Sequence, residues 1–195
     1  MIKICVFGDS VPWGAYDMER GGWVEMTKIK QLEQDRIVYN LGVSDDDSND
    51  LLKRIENEIN SREPSVVIFH LGLNDSISIG DQSNRVPLKK FASNLDKLSY
   101  ILEKNTSVKY VVFIGLNPIT EKDLIYRDGI IFKMGEIDRY DKQIESFCEG
   151  KRYKYLNISN VLNLKEDIYQ DGLHPNSTGH EKIFNLVNNY LDSIL

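Results

Sequence analysis

One serine and one histidine stand in sequence contexts that suit nucleophilic catalysis. Ser10 follows Gly8 and Asp9 directly after an apolar run, where a turn would leave its hydroxyl group accessible. Asp171 precedes His174 by three residues, so a single turn can bring the carboxylate to the imidazole. A serine becomes an effective nucleophile when a base takes its proton, and a carboxylate can orient that base. Each motif alone also fits an ordinary turn, with Ser10 as a cap and His174 in an incidental position.

The sequence contains three histidines, so a histidine base would be one of them. His70 falls in a run that predicts a buried strand, and we expect a core residue there that could support a site from behind. His180 falls at the start of the last predicted helix. His174 precedes Pro175, which disfavours helical backbone at the residue before it. His174 is therefore the best candidate for a base.

Two further residues could hold the negative charge that develops on a tetrahedral intermediate. They are Gly42, through its backbone N–H, and Asn74, through its side-chain amide, and each lies just beyond a predicted strand. Glycine lets the backbone approach a ligand closely, although an asparagine also fits an Asx turn. In other loops, Trp13 would wall an acyl pocket or pack in the core, and Asn117 and Tyr126 are weaker pocket candidates.

These residues need elements that bring distant parts of the chain together. The hydrophobic pattern predicts strands at residues 2–7, 37–41, 66–71, 110–114 and 153–158. It predicts helices at residues 23–32, 51–59, 88–102, 130–147 and 181–195, and irregular loops at 76–86 and 116–129. Strands that alternate with helices pair in parallel. We predict one domain over residues 1–195, a doubly wound three-layer α/β fold with a flavodoxin-like parallel sheet of about five strands and helices on both faces. Ligands bind beyond the carboxyl ends of such strands, where the candidate residues lie.

The composition restricts which binding partners and which cellular compartment we expect. The chain has 195 residues, a formal net charge of −6 and 41% hydrophobic residues. The acidic balance argues against a nucleic-acid or anionic-membrane surface, since both need clustered Lys and Arg. No apolar run approaches the length of a membrane span, and Cys5 and Cys148 show no metal or redox spacing. We expect a cytoplasmic protein with no nucleic-acid partner and no integral membrane association, and the oligomeric state stays open.

Taken together, four motifs resemble those of the SGNH (GDSL-type) hydrolase superfamily. They are, in family order, Gly8-Asp9-Ser10, Gly42, Gly72-Leu73-Asn74-Asp75 and Asp171-x-x-His174. The resemblance implies an ester hydrolase with Ser10 as nucleophile, His174 as base and Asp171 as the residue that orients the base. It also implies an oxyanion hole formed by the Ser10 and Gly42 N–H groups and the Asn74 amide.

The resemblance carries further expectations for the site. The substrate would be a small-molecule ester, such as a short-chain ester, an acetylated sugar or a lysophospholipid, and no metal or other cofactor would be needed. The residues expected to support or line the site are Asp9, Asp75, Trp13 and Asn117. The sequence departs from the pattern in two places: Val11 replaces a common leucine, and Asp45 stands where relatives often carry glycine. A carboxylate at that position would disturb an oxyanion hole if it pointed inward.

The acidic run 45–50 also invites a calcium-binding interpretation. Its acids fall at several positions of an EF-hand loop, but Asp50 stands where the sharp turn of that loop needs glycine. We therefore interpret the run as the first turn of a helix, with Ser44 as a candidate N-cap.

Three other functions fit parts of the sequence. An acyltransferase would use the same acyl-serine, and a non-catalytic binding module would keep only the fold. A flavodoxin-like phosphoacceptor domain would use Asp9, but it lacks a Gly-rich phosphate loop after the first strand. The sequence argues against the binding module, because every role in the hydrolase mechanism is filled.

Overall fold

Strands and helices alternate along most of the chain. The computed structural model describes residues 1–79 and 83–195. The strands in these ranges are β1 (Ile2–Gly8), β2 (Arg36–Gly42), β3 (Val66–His70), β4 (Ser78–Ile79), β5 (Ser83–Asn84), β6 (Tyr110–Ile114), β7 (Asp123–Ile125), β8 (Ile131–Lys133) and β9 (Lys154–Leu156). The helices are α1 (Ser10–Trp13), α2 (Trp23–Leu32), α3 (Ser48–Arg62), α4 (Leu88–Glu103), α5 (Met134–Lys151) and α6 (Ser177–Ile194). Within the described ranges, no helix is long and apolar enough to cross a membrane.

The central sheet has five strands in the order β2-β1-β3-β6-β9. Every neighbouring pair is parallel, which requires the helical crossovers that the alternation supplies. Strand β3 is buried along its whole length, as expected for a central strand that is covered on both faces. Gly8, at the carboxyl end of β1, is in register with Gly42 of β2 and His70 of β3. The strand ends that carry the candidate motifs therefore meet at one edge.

Alternate side chains of β1 enter two separate cores. Cys5 and Phe7 belong to the core formed with α3, α4 and α5, whereas Ile4 and Val6 belong to the core formed with α2 and α6. Successive strand residues point to opposite faces, so one strand serves both cores. Each fully buried aliphatic or phenyl side chain contributes roughly 1.5–3 kcal/mol relative to an exposed one. The prediction of a three-layer α/β fold is confirmed.

A second, smaller sheet forms where the sequence predicts irregular loops. Its order is β5-β4-β8-β7 and its pairs are antiparallel. The main pair joins β7 to β8, with Leu124 opposite Phe132. The predicted helix at 130–147 is therefore wrong at its start, because residues 131–133 form β8 and α5 begins only at Met134. A short apolar run does not by itself distinguish a strand from a helix, and pairing with β7 decides the outcome here.

Helix α3 begins later than its predicted cap. The Asp47 carboxylate accepts hydrogen bonds from the N–H groups of Asn49 and Asp50, and the Asp50 side chain accepts one from the Asp47 N–H. This capping box satisfies donors that a helix start leaves open. Asp47, not Ser44, is the N-cap. The acidic run thus starts a capped helix, which contradicts the calcium-loop interpretation.

Candidate active site

Ser10 is the first residue of α1, immediately beyond the carboxyl end of β1. Asp9 caps this short helix, since its carboxylate accepts a hydrogen bond from the Val11 N–H at 3.0 Å. A side chain at Gly8 would collide with the carbonyl oxygen of His70 on the neighbouring strand. Glycine therefore permits the close approach of β1 and β3 from which the chain turns toward Ser10.

Ser10 begins a chain of three hydrogen-bonded side chains. Its Oγ lies 2.8 Å from His174 Nε2, and His174 Nδ1 lies 2.7 Å from Asp171 Oδ2. The other carboxylate oxygen of Asp171 accepts hydrogen bonds from the backbone N–H groups of Leu173 at 3.0 Å and His174 at 3.1 Å. The three-residue spacing of Asp171 and His174 thus forms a turn that closes on its own carboxylate.

The charge of Asp171 fixes the role of each imidazole nitrogen. Burial acts to raise the pKa of this carboxyl, but the hydrogen bonds from the imidazole and from the Leu173 and His174 N–H groups outweigh it and hold the pKa below its usual value. Ionised Asp171 accepts the Nδ1–H of His174. The Nε2 atom is then left as the acceptor that faces the Ser10 hydroxyl.

The loop that carries His174 is anchored on both sides. Asn117 is buried and donates from Nδ2 to the Leu173 carbonyl oxygen at 2.6 Å. The Tyr169 N–H donates to the His174 carbonyl oxygen at 2.8 Å. Asn176 then caps α6, since its side chain accepts a hydrogen bond from the Gly179 N–H. Asn117 therefore supports the site through the loop.

The other two histidines lie in the interior. His70 is buried in β3, and its ring nitrogens have no hydrogen-bond partner among the residues described. His180 is also buried: its Nδ1 accepts the Trp23 N–H at 3.3 Å and its Nε2 lies 3.0 Å from the Ala15 carbonyl oxygen. Of the histidines, His174 is the one that meets Ser10.

Gly42 lies at the predicted edge of the sheet, but its N–H group is not free to act as an oxyanion donor. Its N–H donates to Oδ1 of Asn40 at 3.1 Å, so this hydrogen is already engaged. A side chain at Gly42 would collide with the backbone of Trp13 and crowd that of Asp9. Glycine is needed here for the packing of α1 against β2. The prediction of Gly42 as an oxyanion donor is therefore corrected.

Asp45 reaches the site in the turn that follows β2. The Asp46 N–H donates to the Val43 carbonyl oxygen at 3.1 Å, which closes a turn with Asp45 at its third position. Asp45 has a φ of 71°, in the left-handed region that type II turns require at this position and that glycine favours. No residue in the described ranges accepts a hydrogen bond from the Asp45 N–H. The sequence marks Asp45 as a departure from the family pattern but gives no sign of this conformation.

Two adjoining cavities share Ser10 and His174. The inner cavity has a volume of about 150 Å³, and Asn74 and Asp45 line it. Its apolar wall consists of Leu73, Ile77, Ile130, Phe132 and Leu173. The outer cavity has a volume of about 460 Å³. Its wall includes Trp13, Ala15, Tyr16, Met18, Tyr126 and Arg127. The Trp13 side chain is 58% exposed, so it lines the cavity and is not a core residue.

Asn74 has one donor to spare. Its Nδ2 donates to the Asp46 carbonyl oxygen at 3.0 Å, and a primary amide carries a second N–H. Behind it, Asp75 is buried and accepts hydrogen bonds from the N–H and hydroxyl groups of Ser48. Burial raises the pKa of Asp75 to about 7, and burial raises the pKa of Asp9 to about 7 as well. Both carboxyls thus support the loops around the site from behind.

Tyrosines connect the small sheet to the Asp171 carboxylate. Tyr126 donates to Asp171 Oδ2 at 3.3 Å, and its hydroxyl lies 3.3 Å from that of Tyr16. Arg127 donates from Nη2 to the Tyr16 hydroxyl at 2.8 Å. Burial and the neighbouring Tyr16 hydroxyl raise the pKa of Tyr126, so it remains a donor. Of these residues, only Tyr126 could be identified as a candidate from the sequence. Nothing in the sequence indicates that Tyr16 and Arg127 lie beside it.

Fold and geometry together define a class of protein. A hydroxyl, an imidazole and a carboxylate in hydrogen-bond sequence form a constellation that serine hydrolases share across unrelated folds. Here it lies beyond the carboxyl ends of parallel strands, where open α/β sheets bind their ligands. The class indicated is an α/β hydrolase.

Comparison with known proteins gives the family. Residues 6–182 match the GDSL-like lipase/acylhydrolase family, and the chain belongs to this family. A GDSL esterase/lipase of Arabidopsis thaliana is 26% identical over 121 residues, which are 57% of this chain and 39% of that protein. The chain thus spans well under half of that relative. An arylesterase of Vibrio mimicus is 25% identical over 178 residues, covering 89% of this chain and 80% of that protein. Membership places the chain among esterases and acylhydrolases.

Solved structures show the same fold. An α/β hydrolase from the metagenome of Lake Arreo has a TM-score of 0.76 at 18% identity, over 100% of this chain and 96% of that one. An acetylxylan esterase from Geobacillus stearothermophilus has a TM-score of 0.73 at 20% identity, over 96% of this chain and 93% of that one. At these identities, the likeness establishes the fold alone.

Proposed function

We propose that this chain hydrolyses carboxylic esters through an acyl-serine intermediate, with Ser10 as nucleophile, His174 as general base and Asp171 as its orienting partner. The observation that carries the proposal is the hydrogen-bond chain of 2.8 Å and 2.7 Å that links them. Both distances suit proton transfer between positioned groups. Catalytic mutants of the Geobacillus acetylxylan esterase replace a serine, an aspartate and a histidine, the last two three positions apart. Asp171 and His174 have the same spacing.

Each step of the reaction uses a group in this chain. Ser10 Oγ attacks the ester carbonyl carbon as its proton passes to His174 Nε2. His174 then returns the proton to the leaving alcohol as the C–O bond breaks, which leaves the acyl group on Ser10. A water that gives its proton to His174 attacks the acyl carbon, and His174 returns this proton to Ser10 Oγ as the acyl–Oγ bond breaks and the acid leaves. Asp171 stabilises the imidazolium in both halves.

The negative oxygen of the tetrahedral intermediate needs donors. We assign this role to the Ser10 N–H, the second amide N–H of Asn74 and the Asp45 N–H, with Asp45 in place of Gly42. Asp45 and Asn74 line the inner cavity with Ser10, which supports the assignment. Removal of one such donor costs about 10²–10³ in rate in hydrolases of this kind.

The two cavities favour a small acyl group. The inner cavity of about 150 Å³ has an apolar wall and holds only a few water-sized groups of about 30 Å³ each. The outer cavity is larger and has aromatic and charged walls, which suit a bulkier, polar alcohol. A short-chain ester or an acetylated sugar fits this division better than a lysophospholipid.

Substitution of the nucleophile tests the proposal. We expect Ser10→Ala to abolish turnover of a short-chain aryl ester, because among the described residues no other hydroxyl forms a hydrogen bond with the His174 imidazole. Ser193→Ala, an exposed serine on α6, is the matched control and keeps the wild-type rate. Wild-type turnover in Ser10→Ala would refute the proposal. Faster acyl transfer to an added alcohol than to water would instead assign an acyltransferase.

A further inference from the structure

Asp45 adopts a backbone conformation that an aspartate does not favour. Its φ of 71° lies in the left-handed region, where a side chain crowds the backbone and glycine does not. The conformation places the 45–46 segment beside Asn74, whose Nδ2 donates to the Asp46 carbonyl oxygen at 3.0 Å. Aspartate tolerates this conformation at some cost relative to glycine, so contacts elsewhere in the structure can stabilise the turn.

Arg85 contacts Asp45 at two points. Its Nη1 donates to the Asp45 carboxylate at 2.8 Å and to the Asp45 carbonyl oxygen at 3.2 Å. One contact holds the side chain and the other holds the backbone of the same residue. Arg85 itself is fixed from behind, since its N–H donates to the Ile77 carbonyl oxygen at 2.8 Å.

The contact also determines where the negative charge of Asp45 lies. The Asp45 side chain is 74% exposed and paired with Arg85, whose side chain is 24% exposed. A carboxylate that turned toward Ser10 would repel the developing oxyanion. Pairing with the guanidinium holds the carboxylate at the rim and offsets its charge.

We propose that Arg85 is a positioning residue for ester hydrolysis, which holds the Asp45 turn so that the Asp45 N–H serves as an oxyanion donor. The inference rests on the proposed function. An ordinary exposed ion pair would not hold the Asp45 turn, because such pairs contribute little to stability. Its removal would leave kcat unchanged.

A double-mutant cycle with glycine tests the role of Arg85. In the wild-type background, we expect Arg85→Ala to lower kcat for a short-chain aryl ester about tenfold with KM within about twofold, a smaller loss than the 10²–10³ for a deleted donor. Asp45→Gly should raise kcat modestly, because glycine adopts the turn without strain and carries no carboxylate. In the Asp45→Gly background, Arg85→Ala should then change kcat less than about twofold, since the carboxylate contact is gone and glycine adopts the turn without help from the remaining contact to the backbone carbonyl.

A transition-state analogue gives a second readout. Affinity for an alkylboronic acid, which forms a tetrahedral adduct on the serine, should fall across the variants in proportion to kcat. Arg139→Ala is the matched control: it breaks an exposed pair with Glu136 of the same 2.8 Å length and should leave kcat unchanged.

The kcat values of the double-mutant cycle decide whether Arg85 positions the Asp45 turn. Equal losses from Arg85→Ala in both backgrounds, or no loss in the wild-type background, would overturn the role of Arg85. Restoration of kcat by glycine excludes misfolding as the cause of a loss. Failure of the underlying function is separately visible, since Ser10→Ala would then retain turnover.

Discussion

The Asp171 carboxylate serves two side-chain donors through one oxygen. Oδ2 accepts from His174 Nδ1 at 2.7 Å and from the Tyr126 hydroxyl at 3.3 Å. The second contact is long, so it belongs at the weak end of hydrogen bonds to charged groups. The hydroxyl restrains the carboxylate but does not touch the reacting atoms of the proposed mechanism, in which Tyr126 would be a positioning residue.

Tyr126→Phe should therefore lower kcat by about two- to fivefold and leave KM nearly unchanged, which corresponds to less than about 1 kcal/mol. Steady-state kinetics with the same aryl ester measure the change. Tyr100→Phe, which removes an exposed hydroxyl from α4, serves as the control. A KM effect without a kcat effect would show that Tyr126 only lines the cavity.

At the scale of single residues, the candidate catalytic side chains could be predicted from the sequence, whereas the backbone N–H donors could not. Ser10, Asp171 and His174 are detectable because each role demands one residue type at a fixed spacing. A backbone N–H donor leaves no such mark in the sequence. Gly42 has the residue type of a donor position, yet its glycine serves packing against α1. Asp45 has the left-handed backbone conformation that is typical of a glycine in a turn, although it is an aspartate.

The small sheet forms one wall of the inner cavity. Ile130 and Phe132 come from its main hairpin, and Ile77 precedes its first strand. Because this wall limits the acyl group, a smaller residue there should shift acyl preference toward longer chains. Ile130 is half-buried and can be shortened with less risk to the core than Phe132.

We expect Ile130→Ala to raise the ratio of kcat/KM for a hexanoate over an acetate ester about three- to tenfold, within the range that a few methylenes contribute in an apolar pocket. Steady-state kinetics with a series of aryl esters of increasing acyl length measure this ratio. Ile125→Ala, on the exposed side of the same hairpin, should leave the profile unchanged. An identical shift in both variants would mean that the hairpin acts through general loosening.

Some of the secondary-structure elements could be predicted from the sequence and others could not. The strands of the central sheet were predictable to within a few residues because apolar, β-branched runs such as 66–70 have to be buried on both faces. The small sheet was not, because β4 and β5 have two residues each and depend on partners far along the chain. Residues 131–133 form a strand because β7 pairs with them along one side and β4 contacts Ile131 on the other.

At the scale of the whole molecule, two buried carboxyls make stability depend on pH. The pKa of Asp75 is raised from 3.8 to about 7 by burial, and that of Asp9 is raised to about 7 in the same way. At each of these two carboxyls the folded protein then binds more protons than the unfolded chain between about pH 4 and pH 7. Their contribution to the free energy of unfolding should therefore fall as pH rises through this window, whereas the lowered pKa values of the buried His70 and His180 act in the opposite direction.

Asp75→Asn removes one of these groups, so its free energy of unfolding should fall less, or rise more, between pH 4 and pH 7 than that of the wild type, whatever its absolute stability. Urea unfolding at several pH values measures the slope. Asp96→Asn, an exposed carboxyl on α4, should keep the wild-type slope. A slope in Asp75→Asn equal to that of the wild type would contradict the assignment of a protonated Asp75.

The site is assembled from the two ends of the matched region. Ser10 and His174 are 164 residues apart in sequence, yet 2.8 Å separates their side chains. Register across β2, β1 and β3 brings the first three motifs to one edge, and the Asn117 contact brings in the fourth. That the chain forms one domain stays a prediction.

Covalent labelling tests the acyl-serine proposal most directly. A fluorophosphonate should transfer its phosphonyl group to Ser10 Oγ with loss of fluoride, and peptide mapping by mass spectrometry locates the adduct. We expect one adduct, on the peptide that contains Ser10, which forms much more slowly in His174→Ala and is absent in Ser10→Ala. An adduct on another residue, or ester turnover that continues after Ser10 is fully labelled, would contradict the proposal.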